Sequence, residues 1–201
     1  MVSMRDTYLE NKLHILQAGR RLIAQKGFTG VGLSEILTAA EVPKGSFYHY
    51  FGSKERYGLE LIEQYVAEYL QALDRMFDAH ASNASARERL LRYWGHWLET
   101  QCCEMLEHKC LVVKLSAEVA DLSDDMRVAL HTGTNAFIAR IAAVIAEGIA
   151  DASLHTVLAP ERTAQMLYQM WLGASLLSKL SRDRVALDAA MDVTRCVLVG
   201  P

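Results

Sequence analysis

The sequence predicts an all-α protein. Three observations predict it. Only three prolines interrupt 201 residues. Apolar residues recur three and four apart over most of the chain, and no segment alternates with period two. With 51% hydrophobic and 22% charged residues, the chain can bury a core and is not disordered. No run reaches 18 consecutive apolar residues, so no membrane-spanning helix is expected. Residues 1–10 hold Arg5, Asp6 and Glu10 and lack the apolar block of a secretion signal. Four cysteines, three of them clustered, do not suit a secreted disulfide framework. The expectation is a cytoplasmic protein with no membrane partner.

The first helix is expected from Leu9, Leu13, Leu16 and Ile23, capped by Asp6 or Thr7 and stopped at Lys26-Gly27. After the connector at 29–32, Ser34 is placed as the cap of a short helix over 34–40, with Ile36, Leu37 and Ala40 inward. Pro43 disfavours helical geometry at Val42 and opens a second short helix over 44–51. Ser53 can cap a long helix from 54 to about 80, with the stripe Ile62, Val66, Tyr69, Leu73, Phe77. Such a helix reaches roughly 40 Å, enough to leave one unit and enter another. Further helices are expected over 87–103, 110–120, 123–150, 160–180 and 184–199; Ser123 before Asp124 and Asp125 is a strong start signal.

Two short helices with a three-residue turn, braced by a preceding helix, form a helix-turn-helix. Its second helix, Lys44-Gly45-Ser46-Phe47-Tyr48-His49-Tyr50-Phe51, opens with a cation and small residues, where backbone can approach phosphates and base edges. Phe47 and Phe51, four apart, would anchor it. The bland alternative is an amphipathic helix with aromatic packing. The formal net charge of −3 argues against nucleic acid as a whole, but it is uneven. Residues 1–60 hold eight Lys/Arg against six Asp/Glu, and the remainder thirteen against eighteen. A mildly basic end on an acidic body suits a chain of which only the first part meets a polyanion.

On Gly27-Phe28, the 33–40 helix, the run Val42 to Phe51 and Ser53-Lys54-Glu55, the sequence resembles the TetR family of bacterial repressors. The resemblance implies residues 1–53 as a helix-turn-helix DNA-binding domain and 54–201 as a ligand-sensing and dimerisation domain. It implies palindromic double-stranded operator DNA as partner and a homodimer through the helices near 160–180 and 184–199. Phosphate-facing positions map onto Lys44, Tyr48, His49 and Lys54, with Ser34 beside them; base-edge contacts map onto Pro43, Gly45 or Ser46. Two heads reading half-sites about one helical turn apart would supply affinity that one head lacks. Leu167, Trp171, Gly173, Ala174 and Leu177, with Leu187, Met191 and Leu198, could form half of an intermolecular four-helix bundle, or bury against their own chain.

His96, Cys102, Cys103, His108 and Cys110 lie within fifteen residues. As a metal site the spacing is poor, although a bent loop could gather Cys103, His108 and Cys110. Free cysteines are usually buried small hydrophobes, a reading that suits Cys196 best. The third reading is a reactive thiol at Cys110, near a helix start and beside Lys109 and Lys114, both of which favour thiolate. The stretch 110–123 and the later Trp171-Leu172-Gly173-Ala174 to Lys179 resemble the N-ethylmaleimide-responsive branch of the family. That implies a repressor released when Cys110 is modified by an electrophile or oxidant, with Lys179 as its partner. Position 120 is Ala, so a single-thiol switch is implied and multi-cysteine chemistry is not. A rival sensor would bind an apolar or aromatic ligand reversibly, with Trp94, Trp97, Met105, Phe137, Met166, Tyr168 and Trp171 as pocket candidates or plain core. No cofactor or resident metal is expected. Cys110, His108 and Glu118 could be imagined as a nucleophile, base and orienter, but no motif fixes an oxyanion site, so an enzyme is not expected.

Overall fold

The computed structural model describes residues 4–79, 83–102 and 110–199. Among these residues it contains nine α-helices: α1 Met4–Lys26, α2 Leu33–Ala39, α3 Lys44–Phe51, α4 Lys54–Met76, α5 Ala86–Cys102, α6 Leu111–Leu122, α7 Asp124–Ala150, α8 Pro160–Ser181 and α9 Val185–Val197. A single antiparallel bridge, His155 to Val199, is the extended pairing among them.

Helices α1 to α3 form the head. Gly27 ends α1 with φ +84, its amide bonded to the Ile23 carbonyl at 2.9 Å, a conformation side-chain-bearing residues rarely adopt. Gly27 is required a second time: a Cβ there would lie 2.8 Å from the Glu118 carboxylate, brought in by α6. The core of the head is Ile15, Leu16, Ile23, Phe28, Val31, Ile36, Phe47 and Phe51, closed from below by Tyr57 of α4. The Tyr57 hydroxyl donates to the Ile15 carbonyl at 3.2 Å, so α1 and α4 pack tightly.

Several boundaries differ from expectation. Helix α1 begins at Met4, so Asp6 and Thr7 lie inside it, and Leu9 and Leu13 stay 50% and 43% exposed. Tyr8 takes the inward position near its start, against Tyr50 and His49 of α3. Gly32, not Ser34, is the N-cap of α2; Glu35 accepts its amide at 3.1 Å, which leaves Ser34 exposed in the first turn. Helix α4 stops at Met76, capped at Phe77. The expectations at Ser53 and Ser123 hold: each caps its helix, bonded to the amides of Arg56 and Met126.

In the body α7 is central and packs on α4, α5, α6 and α8, while α9 covers α8 and α5. By length and composition α7 is apolar enough to cross a membrane, which the count of uninterrupted apolar residues did not register. Here it is a core helix, with Leu130, Phe137, Ile141 and Ile145 buried. Arg89, almost fully buried, ties the body to the end of α4: its guanidinium donates to the Phe77 carbonyl and the Glu147 carboxylate. Buried charge persists only where it is paired in this way.

Candidate DNA-contacting helix and sensor cavity

Helix α3 is fixed by its two phenylalanines. Phe47 and Phe51 are buried with rings 5.1 Å apart, and both meet Tyr57. That turns the other face outward: Lys44, Gly45, Tyr48 and His49 are exposed, Pro43 is the exposed N-cap, and Ser46 is half-buried. The Lys44 ammonium sits over the Tyr48 ring at 5.8 Å, which holds the cation on the outer face. Nothing lies within 4 Å of where a Gly45 Cβ would be, so the first turn presents bare backbone. No acidic residue occupies that turn. Lys54 departs from its expected role. Its ammonium donates to the Phe28 carbonyl at 3.0 Å and covers the Phe28 ring, so it staples α4 to the head.

A cavity of about 220 Å³ opens between α1, α4 and α5 and reaches Cys110. Its wall includes Tyr65, Tyr69, Tyr93, Trp97 and, from the head, Arg20. Arg20 pairs with Glu68 and lies over the Tyr65 ring at 5.4 Å. Cys110 is the N-cap of α6, buried, with Sγ 3.4 Å from the Tyr65 hydroxyl. Burial pushes the thiol up from its ordinary pKa; the Tyr65 hydroxyl and the Val113 and Val112 amides oppose this without overcoming it. Burial thus works against the thiolate that the helix start and nearby lysines were expected to favour; Lys114 donates to the Gln25 carbonyl, and Lys109 lies outside the described residues. Burial likewise raises Tyr65, Tyr69, Tyr93 and Tyr168.

Helix α6 carries both ends of a connection. From Cys110, Lys114 is one turn on and Glu118 one turn further. Lys114 donates to the Gln25 carbonyl at 3.0 Å. The Glu118 carboxylate accepts the Phe28 amide at 2.9 Å and both the amide and hydroxyl of Thr29. Burial alone would raise the Glu118 pKa, but these hydrogen bonds outweigh it and hold the carboxyl below its ordinary value. The helix capped by the cysteine thus grips the α1–α2 turn of the head. Glu118 entered the sequence reading only as an imagined catalytic group; the one signal for this role is its spacing of four and eight from Lys114 and Cys110.

Of the other expected residues, Trp97 lines the cavity, with its indole N–H donating to Ser175 Oγ at 2.9 Å. Trp94 and Trp171 do not: they stack on each other in the core, centroids 5.1 Å apart. Phe137 packs 4.4 Å from Tyr69, behind the wall, and Tyr168 meets Trp97 edge-on at 5.6 Å. Met166 is surface-exposed on α8. Lys179 is exposed on α8 while the thiol is buried, and the described hydrogen bond of the thiol is to Tyr65. Cys196, expected inside, is exposed on α9. Cys103, Met105, His108 and Lys109 lie outside the described residues, as does the side chain of Cys102.

The bundle residues are also redistributed. Leu167, Trp171, Leu187 and Leu198 are buried in their own chain, and Met191 nearly so. The apolar stripe α8 leaves open is Met166, Met170, Gly173, Leu177 and Leu180, spaced four, three, four and three, with Leu180 73% exposed.

Residues 15–56 match the family described as bacterial regulatory proteins, tetR family, and residues 86–194 match the tetracyclin repressor-like C-terminal domain. The chain belongs to the TetR family of helix-turn-helix transcriptional regulators. It is 41% identical over 197 residues to the HTH-type transcriptional repressor NemR of Escherichia coli (strain K12), covering 98% of each chain. The HTH-type transcriptional repressor DhaR of a Mycobacterium species is 31% identical, over 90% of this chain and 88% of that one. The crystal structure of reduced E. coli NemR superposes with a TM-score of 0.90 at 41% identity, covering 96% of this chain and 98% of that one.

Proposed function

We propose that this protein is a cytoplasmic, homodimeric repressor that leaves its operator when Cys110 is modified by an electrophile or oxidant. Residues 1–53 serve as the DNA-binding domain and 54–201 as the sensing and dimerisation domain. A second copy covers the α8 stripe of Met166, Met170, Gly173, Leu177 and Leu180, which sets two α3 helices on successive major grooves of a palindrome. Pro43, Lys44, Gly45, Ser46, Tyr48 and His49 meet the DNA, with Ser34 at the edge of that surface; positioning contacts to phosphate outnumber contacts to bases.

The observation that carries the reading is the double role of α6: Cys110 at its start, Lys114 and Glu118 on the head. An adduct on Cys110 enters the cavity that reaches the thiol, where the packed walls behind Tyr65, Tyr69 and Tyr93 leave it little room to move without shifting a helix. It takes up the cavity, displaces the start of α6 and presses on Arg20. Both routes act on the head. The adduct need only favour one head position over the other by about 1–3 kcal/mol. Lys179, exposed on α8, is the residue we assign as partner of the Cys110 sulfur in this response.

A gel shift on the protein's own upstream DNA tests this. N-ethylmaleimide should release wild type and leave Cys110→Ser bound, with added mass on the Cys110 peptide; full release of Cys110→Ser refutes the sensor. A second reading rests on the same cavity, which suits reversible binding of a small aromatic ligand. Release that reverses on dialysis, with no added mass, would select it.

A further inference from the structure

One tyrosine touches Cys110 and two more line the cavity that reaches it, more than a merely reactive thiol requires. Tyr65 holds the sulfur at 3.4 Å. The Tyr69 and Tyr93 hydroxyls bond each other at 2.9 Å, and both residues line the cavity that reaches the thiol. This pair owns two O–H protons and spends one on the mutual bond. The second has no protein acceptor among the described residues, and it belongs to a group facing the cavity. Behind them the Tyr168 hydroxyl is buried with no partner among the described residues. The Tyr168 ring meets Trp97, a residue of the cavity wall, edge-on at 5.6 Å. Buried hydroxyls are normally satisfied, so a spare donor on the cavity wall, with a second unpartnered hydroxyl at Tyr168 beyond Trp97, points to an acceptor brought by a ligand.

We propose that the Tyr69–Tyr93 hydroxyl pair, backed by Tyr168, is the carbonyl-binding element of the Cys110 site. The site then selects electrophiles whose reactive carbon is conjugated to a carbonyl, such as enones, quinones and maleimides. This rests on the reading that Cys110 is the modified residue. The step is a 1,4-addition. Sulfur loses its proton to solvent and forms the C–S bond. The C=C pair shifts to the bond between the α-carbon and the carbonyl carbon and the C=O pair moves onto oxygen, where the tyrosine hydroxyls hold the developing enolate. A proton from solvent then returns to the neighbouring carbon, so the adduct gains one S–H across the double bond and no oxidant is used.

The test compares second-order rate constants at Cys110, followed by peptide mass, for N-ethylmaleimide and for methyl methanethiosulfonate. The second reagent has no carbonyl and transfers a thiomethyl group with methanesulfinate leaving. Both react with the same thiolate, so the thiol's ionisation largely cancels in their ratio. The ratio in wild type should exceed that of glutathione at the same pH by about tenfold or more, and should fall by about tenfold in Tyr93→Phe and Tyr69→Phe. A wild-type ratio equal to that of glutathione, or one unmoved by either substitution, overturns the proposal. The wild-type arm stands even where a variant does not fold. If neither reagent modifies Cys110, or the adduct leaves operator binding intact, the sensor reading fails and this falls with it. If Cys110 is modified and the operator released with the ratio unmoved, only the tyrosine assignment fails.

Discussion

Replacing Glu118 with alanine should uncouple the sensor from the head while leaving the sensor working. Three donors converge on this carboxylate: the Phe28 amide at 2.9 Å and the amide and hydroxyl of Thr29. Hydrogen bonds to a charged acceptor contribute about 1.5–3 kcal/mol each when dry. Glu118 is only partly buried and the freed donors regain water, so about 0.7 kcal/mol each is the better figure, roughly 2 kcal/mol in all. That is about a thirtyfold change in an equilibrium, comparable to the whole coupling expected between sites. A gel-shift titration before and after N-ethylmaleimide reads it. In Glu118→Ala the release should shrink to less than about threefold, while the Cys110 adduct forms at the wild-type rate. Undiminished release in that variant would refute α6 as the transmitting element. The pH dependence follows from the depressed carboxyl pKa. Its contribution is complete above the ordinary carboxylate range and is lost as pH falls through the lowered value. The melting difference between wild type and Glu118→Ala should therefore be flat from pH 7 to 5 and shrink only in stronger acid.

Further outcomes follow from other contacts. Tyr65→Phe removes the hydroxyl that opposes desolvation of the thiol, so the Cys110 pKa should rise further. Alkylation by iodoacetamide at pH 7 should slow several-fold, with the pH–rate profile displaced to higher pH. Lys44→Ala should lower the slope of log affinity against log salt by about one per head, as loss of a phosphate contact does. Lys54→Ala should leave that slope unchanged and lower the melting temperature instead, because Lys54 bonds the Phe28 carbonyl. Leu180→Glu places a charge on the open α8 stripe and should give monomers in sedimentation, with weaker operator binding and little loss of monomer stability.

The sequence was informative wherever a local rule decides the outcome. Pro43 and Gly52 bracket α3, and Ser53 and Ser123 start α4 and α7, because caps and breakers act within a few residues. The all-helical class followed from periodicity for the same reason. Burial was harder to read. Leu9 and Leu13 have helical spacing yet remain exposed, since Tyr8 occupies the side that faces α3. The TetR-family pattern suggested a phosphate for Lys54, but the Phe28 carbonyl lay nearer. At Cys110 the sequence showed the helix start but not the burial that pushes the thiol up against the amides and the Tyr65 hydroxyl. The Glu118 contacts join residues about 90 apart in the chain, and no local pattern reports such a pairing. Aromatic composition named Trp97 along with Trp94 and Trp171, and only packing separates the one that lines the cavity from the two that stack.

All three tryptophans of the chain belong to one cluster, Trp94 against Trp171 and Trp97 beside both, and none lies in the head. Tryptophan emission from the intact protein is therefore an optical record of a single place, a core cluster whose member Trp97 lines the cavity that reaches Cys110. Events at the sensor can be timed without any attached dye, and the delay before DNA is lost would measure how long the message takes to travel along the chain.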